Sequence, residues 1–143
     1  MPKLLGIDYG TKRIGLAWAD ELKISLPLES IPGGELDGCW DAMTRVVNER
    51  GVQELIVGYP VHMDGKIGRR AGEVDQFIAK LQSTFNLPVH RVDERLTSVA
   101  ALESIMKKGN RKKGRVRPDG RVDATAASLI LRDFLNQGGQ GGV

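Results

Sequence analysis

The apolar positions of this chain fall into short continuous runs at one end and helical stripes between later runs. Leu4 to Ile7 is apolar and closes on an acid, Asp8, followed by Tyr9-Gly10-Thr11-Lys12-Arg13. Ile14 to Ala19 and Ile24 to Ile31 continue as strand-like segments, separated by the polar turn Asp20-Glu21-Leu22-Lys23. From Asp37 to Arg50 the spacing changes to that of a helix, with Trp40, Met43, Val46 and Val47 on one stripe and Asp37 in the N-cap position. Gly51 ends it, as glycine commonly does. Glu54 to Gly58 has the unbroken apolar centre Leu55-Ile56-Val57 of a strand buried on both faces. Gly72 to Phe85 reads as a second helix, Pro88 to Val92 as another buried strand, Ser98 to Lys108 as a third helix and Val122 to Leu135 as an apolar last helix.

Strands separated by helices need parallel crossovers, whereas the two tight early connections suit an antiparallel meander. The expected architecture is α/β: a mixed five-stranded sheet, made of a three-strand antiparallel meander plus parallel strands, flanked by helices. There is no internal repeat and no domain boundary. Residues 1–136 are expected to form one domain, and Gln137-Gly-Gly-Gln-Gly-Gly-Val143 a flexible tail.

Composition narrows the class. A chain of 143 residues with 41% hydrophobic positions suits a single globular domain with a sizeable core. Its one cysteine, Cys39, excludes an internal disulfide and a multi-cysteine zinc site, and its place on a predicted helix suits a small core residue. Runs such as Leu4 to Ile7 and Leu129 to Leu131 fall far short of the roughly 20 residues of a membrane span. The opening Met-Pro-Lys-Leu-Leu-Gly-Ile-Asp has no signal-peptide stretch, so a cytoplasmic setting is expected.

The overall charge of +3 conceals an asymmetry. Between Lys107 and Arg121 stand eight basic residues, Lys112, Lys113, Arg115 and Arg117 among them, against the single acid Asp119; this stretch carries a net +7 and the remainder −4. It also holds Gly109, Gly114, Pro118 and Gly120, a composition that buries too little apolar surface to order itself. One reading is a solvated loop with no partner. The other is an arm for polyanions, above all nucleic-acid phosphates, giving salt-dependent affinity with little sequence choice.

In open α/β sheets, sites form beyond the carboxyl ends of the strands. Asp8 closes the first strand and Asp93-Glu94 the last, while Asp123 falls at the start of the final helix. Carboxylates gathered from distant positions suit hard divalent cations such as magnesium, and phosphodiester-cleaving sites commonly hold two ions. Each acid also has a plain structural role open to it: an Asx turn for Asp8, a surface ion pair with Arg95 for Glu94, a helix N-cap for Asp123. Lys12 and Arg13 are placed to touch a phosphate or to act as ordinary turn charge, and Arg69 and Arg70 can extend the positive track. His62 and His90 fit a hard-cation site poorly, since such ions prefer oxygen.

Four segments in order narrow these choices. Leu5-Gly6-Ile7-Asp8-Tyr9-Gly10-Thr11-Lys12-Arg13-Ile14-Gly15 resembles the opening motif of the YqgF family, also called the Holliday-junction-resolvase-like RuvX family. Val57-Gly58-Tyr59-Pro60 with Met63-Asp64-Gly65 resembles its second motif, Asp93-Glu94-Arg95-Leu96-Thr97-Ser98 its third, and Val122-Asp123-Ala124-Thr125-Ala126-Ala127 its fourth. The resemblance spans Leu4 to about Leu135. It implies an RNase H-like fold, a nuclease role in maturing the 5′ end of 16S ribosomal RNA, and Asp8, Glu94 and Asp123 as catalytic and metal-holding carboxylates for Mg²⁺ or Mn²⁺. Structured RNA, as precursor rRNA or on the small subunit, is the partner so implied. Lys12, Arg13, Arg69, Arg70, Arg95 and the basic segment are the residues expected along its phosphates. Related junction resolvases carry a second acid one turn along the final helix. Here Ala124, Thr125, Ala126 and Ala127 follow Asp123, so further coordination falls to water, substrate phosphate or Asp93. Other readings are a resolvase acting on branched DNA and a non-catalytic RNA-binding assembly factor. A sugar-kinase or actin-type ATPase is disfavoured, because its two related domains do not fit in this length.

Overall fold

The computed structural model describes residues 3–10, 12–20, 22, 24–34, 36–59, 69–93 and 120–137, with the backbone alone at 69, 70 and 120–123. Five strands form one sheet: β1 (Leu4–Asp8), β2 (Arg13–Ala19), β3 (Leu26–Pro32), β4 (Glu54–Tyr59) and β5 (Val89–Asp93). Their spatial order is β3-β2-β1-β4-β5. β1 pairs antiparallel with β2, and β2 with β3, while β4 lies parallel to both β1 and β5. The mixed meander-plus-parallel sheet expected from the sequence is therefore the one observed.

Among the described residues three helices cover it: α1 (Cys39–Arg50), α2 (Arg69–Phe85) and α3 (Gly120–Asn136). The period-2 alternation of the strands splits the core into two layers. Leu5, Ile7, Ile14, Leu16, Leu55 and Val57 face α1 and α2, where they meet Met43, Val46, Phe77, Ile78 and Leu81. Leu4, Ala17, Ala19, Ile56 and Val92 face α3 and pack on Ala127, Ile130, Leu131 and Phe134. Small residues on that face let α3 come close: a side chain at Gly6 would stand 2.8 Å from Leu131 Cβ and 3.0 Å from the Ala127 carbonyl oxygen. Cys39 is fully buried in the α1 layer, as expected, and burial pushes its thiol pKa up.

Several boundaries differ from the sequence reading, each for a local reason. Asp37 does not cap α1; Gly38 takes that place in the left-handed region (φ 86°), and no side chain caps the helix. Gly51 does end it, also left-handed, with its N–H on the Asn48 carbonyl. α2 begins at Arg69, three residues before Gly72, because that glycine is exposed with nothing within 4 Å of its Cβ position, so it interrupts no packing. β4 runs one residue past its expected end at Gly58, to Tyr59. Asp123 is the fourth residue of α3 and not its cap. The expected helix 98–108, the basic segment up to residue 119 and the tail 138–143 lie outside the described residues. Among the described residues, no helix is long and apolar enough to cross a membrane.

Candidate active site

Asp8 ends the central strand β1, at the edge of the sheet where β4 and β5 also end. Its side chain is half-buried. Alternation puts it on the same face as Leu4 and Gly6, beneath α3. On β2 the residue paired with Asp8 is Gly15. On β4 the register Ile7 to Val57 makes Gly58 the next position alongside Asp8. The carboxylate therefore stands between two glycines, and neither neighbouring strand projects a side chain into the space beside it. The motif containing Gly58 was legible in the sequence, but its position beside Asp8 requires the strand pairing.

The turn after Asp8 is tied down through the backbone. Gly33 N–H donates to the Lys12 carbonyl (3.0 Å) and Gly34 N–H to the Gly10 carbonyl (3.3 Å), fastening it to the end of β3. Lys12 is exposed on this turn, and Arg13, opening β2, shares the face of Gly15 and so of Asp8. Arg13 thus lies on the Asp8 face, and Lys12 stands on the turn that leads to it.

Asp93 behaves differently. It pairs with Tyr59, which belongs to the α1–α2 layer, and its side chain is 2% exposed. It faces away from Asp8 across the sheet, so it does not provide the fallback ligand considered from sequence. Beside it, the Tyr59 hydroxyl donates to Asp75 Oδ2 (2.9 Å) on α2, and Arg91 Nη2 reaches Asp75 Oδ1 (3.4 Å) with its guanidinium 5.7 Å from the centre of the Tyr59 ring. This clamp fixes the ends of β4 and β5 to α2. Burial, reinforced by Asp75, pushes the Tyr59 pKa up. No local pattern in the chain marks it, because its members lie far apart in the sequence.

Of the remaining expected residues, Asp123 lies one helical turn before Ala127, the residue whose carbonyl lies against Gly6. Arg69 and Arg70 open α2. Glu94 directly follows β5 but, with Arg95, Lys112, Lys113, Arg115 and Arg117, lies outside the described residues, as does His62. His90 sits within β5, 2.9 Å from Glu54 Oε1 and with its ring 5.2 Å from that of Phe134, as a packing residue between sheet and α3. Among the described residues, no three His, Cys, Asp or Glu side chains gather closely enough to hold a metal. The oxygen-only donor type of Asp8, and the space its glycine neighbours leave, suit a hard divalent cation.

Comparison with known proteins bears on this arrangement. The chain is 42% identical over 94% of its length to a protein of Opitutus terrae named "Putative pre-16S rRNA nuclease", of which it covers 92%. It is 38% identical to a protein of the same name from Moorella thermoacetica, with 99% of each chain covered. Among solved structures it resembles RuvC of T. thermophilus in complex with a Holliday junction substrate (TM-score 0.54, 16% identity, 97% of this chain and 98% of the other). It also resembles the fowlpox virus Holliday junction resolvase (TM-score 0.51, 13% identity, 95% and 98% covered). At such identities the likeness establishes the RNase H-like fold. The family profile described as "RuvX: Holliday junction resolvase" matches residues 2–137, which take in the whole of the sheet and helices described above, and the chain belongs to the RuvX family.

Proposed function

We propose that this protein is a divalent-metal-dependent nuclease that hydrolyses phosphodiester bonds in structured RNA, and that in the cytoplasm it matures the 5′ end of pre-16S ribosomal RNA. Residues 1–136 act as one nuclease domain. The observation that carries the reading is the setting of Asp8: a carboxylate at the carboxyl edge of the sheet, flanked by Gly15 and Gly58, under the helix that bears Asp123. The pre-16S rRNA nuclease name shared by relatives that the chain covers to 92% and 99% supports RNA as the substrate.

In this reading Asp8, Glu94 and Asp123 hold Mg²⁺ or Mn²⁺. Bound there, the metal supplies an activated water and neutralises charge on the leaving oxygen. The chain's own part is to position. Asp8 presents its oxygens from a strand end fixed on both sides by backbone hydrogen bonds, which keeps the geometry preorganised. Lys12 and Arg13 hold the substrate phosphate at the mouth of that face. Arg69, Arg70 and Arg95 extend the contact along the backbone. Lys112, Lys113, Arg115 and Arg117 add a sequence-blind attraction that leads the chain into Asp123. The family description favours branched DNA as a second substrate.

Incubating the protein with structured precursor rRNA and with a four-way DNA junction, each with Mn²⁺ and with chelator, tests the proposal. Defined RNA products that require the metal are expected. RNA that is bound but left intact under every metal condition would make the protein an assembly factor.

A further inference from the structure

A second cavity opens at the same edge of the sheet, on the face opposite the Asp8 carboxylate. It lies between the amino-terminal end of α1 and the middle of α2 and encloses about 170 Å³. Its walls are aromatic. Tyr9, the residue after Asp8, stands 4.7 Å from Phe77 between ring centres, and Phe77 stands 5.4 Å from Trp40. The open side carries Glu73, Gln76 and Lys80. Gly34 completes the rim; a side chain there would press on the Tyr9 ring at 2.8 Å.

Three features distinguish this pocket from a packing defect. Tyr9 and Phe77 are buried and locked, so the walls are preformed. The Trp40 indole is only partly buried, and its exposed face is met by the Lys80 ammonium at 4.7 Å, a flexible cation and not a core side chain. The polar groups at the mouth include both a carboxylate and an amide, which match the donors and acceptors on the edge of a heterocyclic base.

We propose that this pocket receives one unpaired nucleobase of the RNA substrate, stacked on Trp40 with its edge toward Glu73 and Gln76. It rests on the RNA reading above and adds to it the substrate feature the protein reads. Lys80 leaves the indole face as the base enters and meets the backbone phosphate of the same nucleotide. Tyr9 directly follows Asp8, so the pocket wall and the carboxylate leave the same strand end on opposite faces of the sheet. Lys12 stands on the turn that follows, which is fastened to Gly33 and Gly34. A strand anchored there is held in register with the carboxylate on the other side of the turn. Single-stranded sites gain affinity from such base–aromatic stacking without needing a fixed sequence.

The test uses Trp18→Phe protein, which leaves Trp40 as the only tryptophan; among the described residues the Trp18 indole N–H has no hydrogen-bond partner, so no bond is lost. It is titrated, in chelator so that nothing is cleaved, with a hairpin RNA carrying one unpaired nucleotide and with the same hairpin made abasic at that position. The intact hairpin should quench Trp40 and bind about fivefold or more tighter than the abasic one, the lower end of what one stacked base contributes. Trp40→Leu, checked for folding by circular dichroism, should abolish the difference; if it does not fold, the abasic comparison on the Trp18→Phe protein still decides. Equal affinity and equal quenching by the two hairpins would overturn the proposal. So would quenching by AMP alone at the concentrations at which the hairpin acts, which would assign the pocket to a free nucleotide. Since binding is read without cleavage, loss of nuclease activity under all metals would sink the nuclease reading while leaving this result intact.

Discussion

Asp8 and Asp93 end strands separated only by β4, yet they project to opposite faces of the sheet. Asp8 shares its face with Gly6 under α3, and Asp93 shares its face with Tyr59 and Arg91 toward α2. Two acids at one edge of one sheet therefore stand in different surroundings. Replacing Asp8 with asparagine keeps the shape but removes an anionic ligand, and should abolish cleavage with the melting temperature held or slightly raised. Replacing buried Asp93 with alanine should instead cost about 1–3 kcal/mol of stability, with the metal dependence of the remaining activity unchanged. Thermal melts and metal-titrated cleavage on the two variants separate these roles.

Gly6→Ala tests the seating of α3. The added methyl would meet Leu131 Cβ at 2.8 Å, so the helix must move outward. Overpacking of this kind costs about 1–3 kcal/mol, readable as a lower urea midpoint. Because α3 also carries Asp123, kcat should fall further than the folded fraction accounts for.

The Tyr59–Asp75 bond gives a prediction in pH. The Tyr59 pKa is raised in the folded protein, from an ordinary value near 10. The folded state therefore holds that proton more tightly than the unfolded chain. The resulting stability is fully present below pH 10 and is lost as the pH rises through the folded value. Tyr59→Phe should be less stable at neutral pH by about 1 kcal/mol, since Asp75 is half-exposed and water replaces its lost donor. It should also lose less stability than the parent between pH 9 and 11, as followed by melts.

Neutralising Lys112, Lys113, Arg115 and Arg117 together should weaken RNA binding far more at low salt than at high salt. The magnitude of the slope of log affinity against log salt should fall by about 0.7 per lost phosphate contact on single strands and about 0.9 on a DNA-like duplex. An unchanged slope would mean that the segment is merely solvated, and that Lys12, Arg13, Arg69 and Arg70 carry the phosphates.

The sheet was legible because its signals are local: apolar runs of strand length, tight turns early and helical stripes later. Caps were less so, since Asp37 and Gly38 compete for one position and the left-handed turn selects glycine. Asp8 could be singled out by its place at a strand end. That Gly15 and Gly58 flank it, and that Asp93 turns away, depends on register between strands far apart in sequence. The aromatic pocket was invisible for the same reason: Tyr9 follows β1, Trp40 lies in α1 and Phe77 in α2, and they meet only once α1 and α2 have docked.

The most direct test of the account is single-turnover cleavage of structured precursor rRNA in Mn²⁺ by the parent protein and by Asp8→Asn, Glu94→Gln, Asp123→Asn and Asp93→Asn, each checked for folding. The account predicts cleavage by the parent that chelator stops, none by the first three variants, and retained cleavage by Asp93→Asn. Cleavage by folded Asp8→Asn, or cleavage by the parent that persists in chelator, would contradict it.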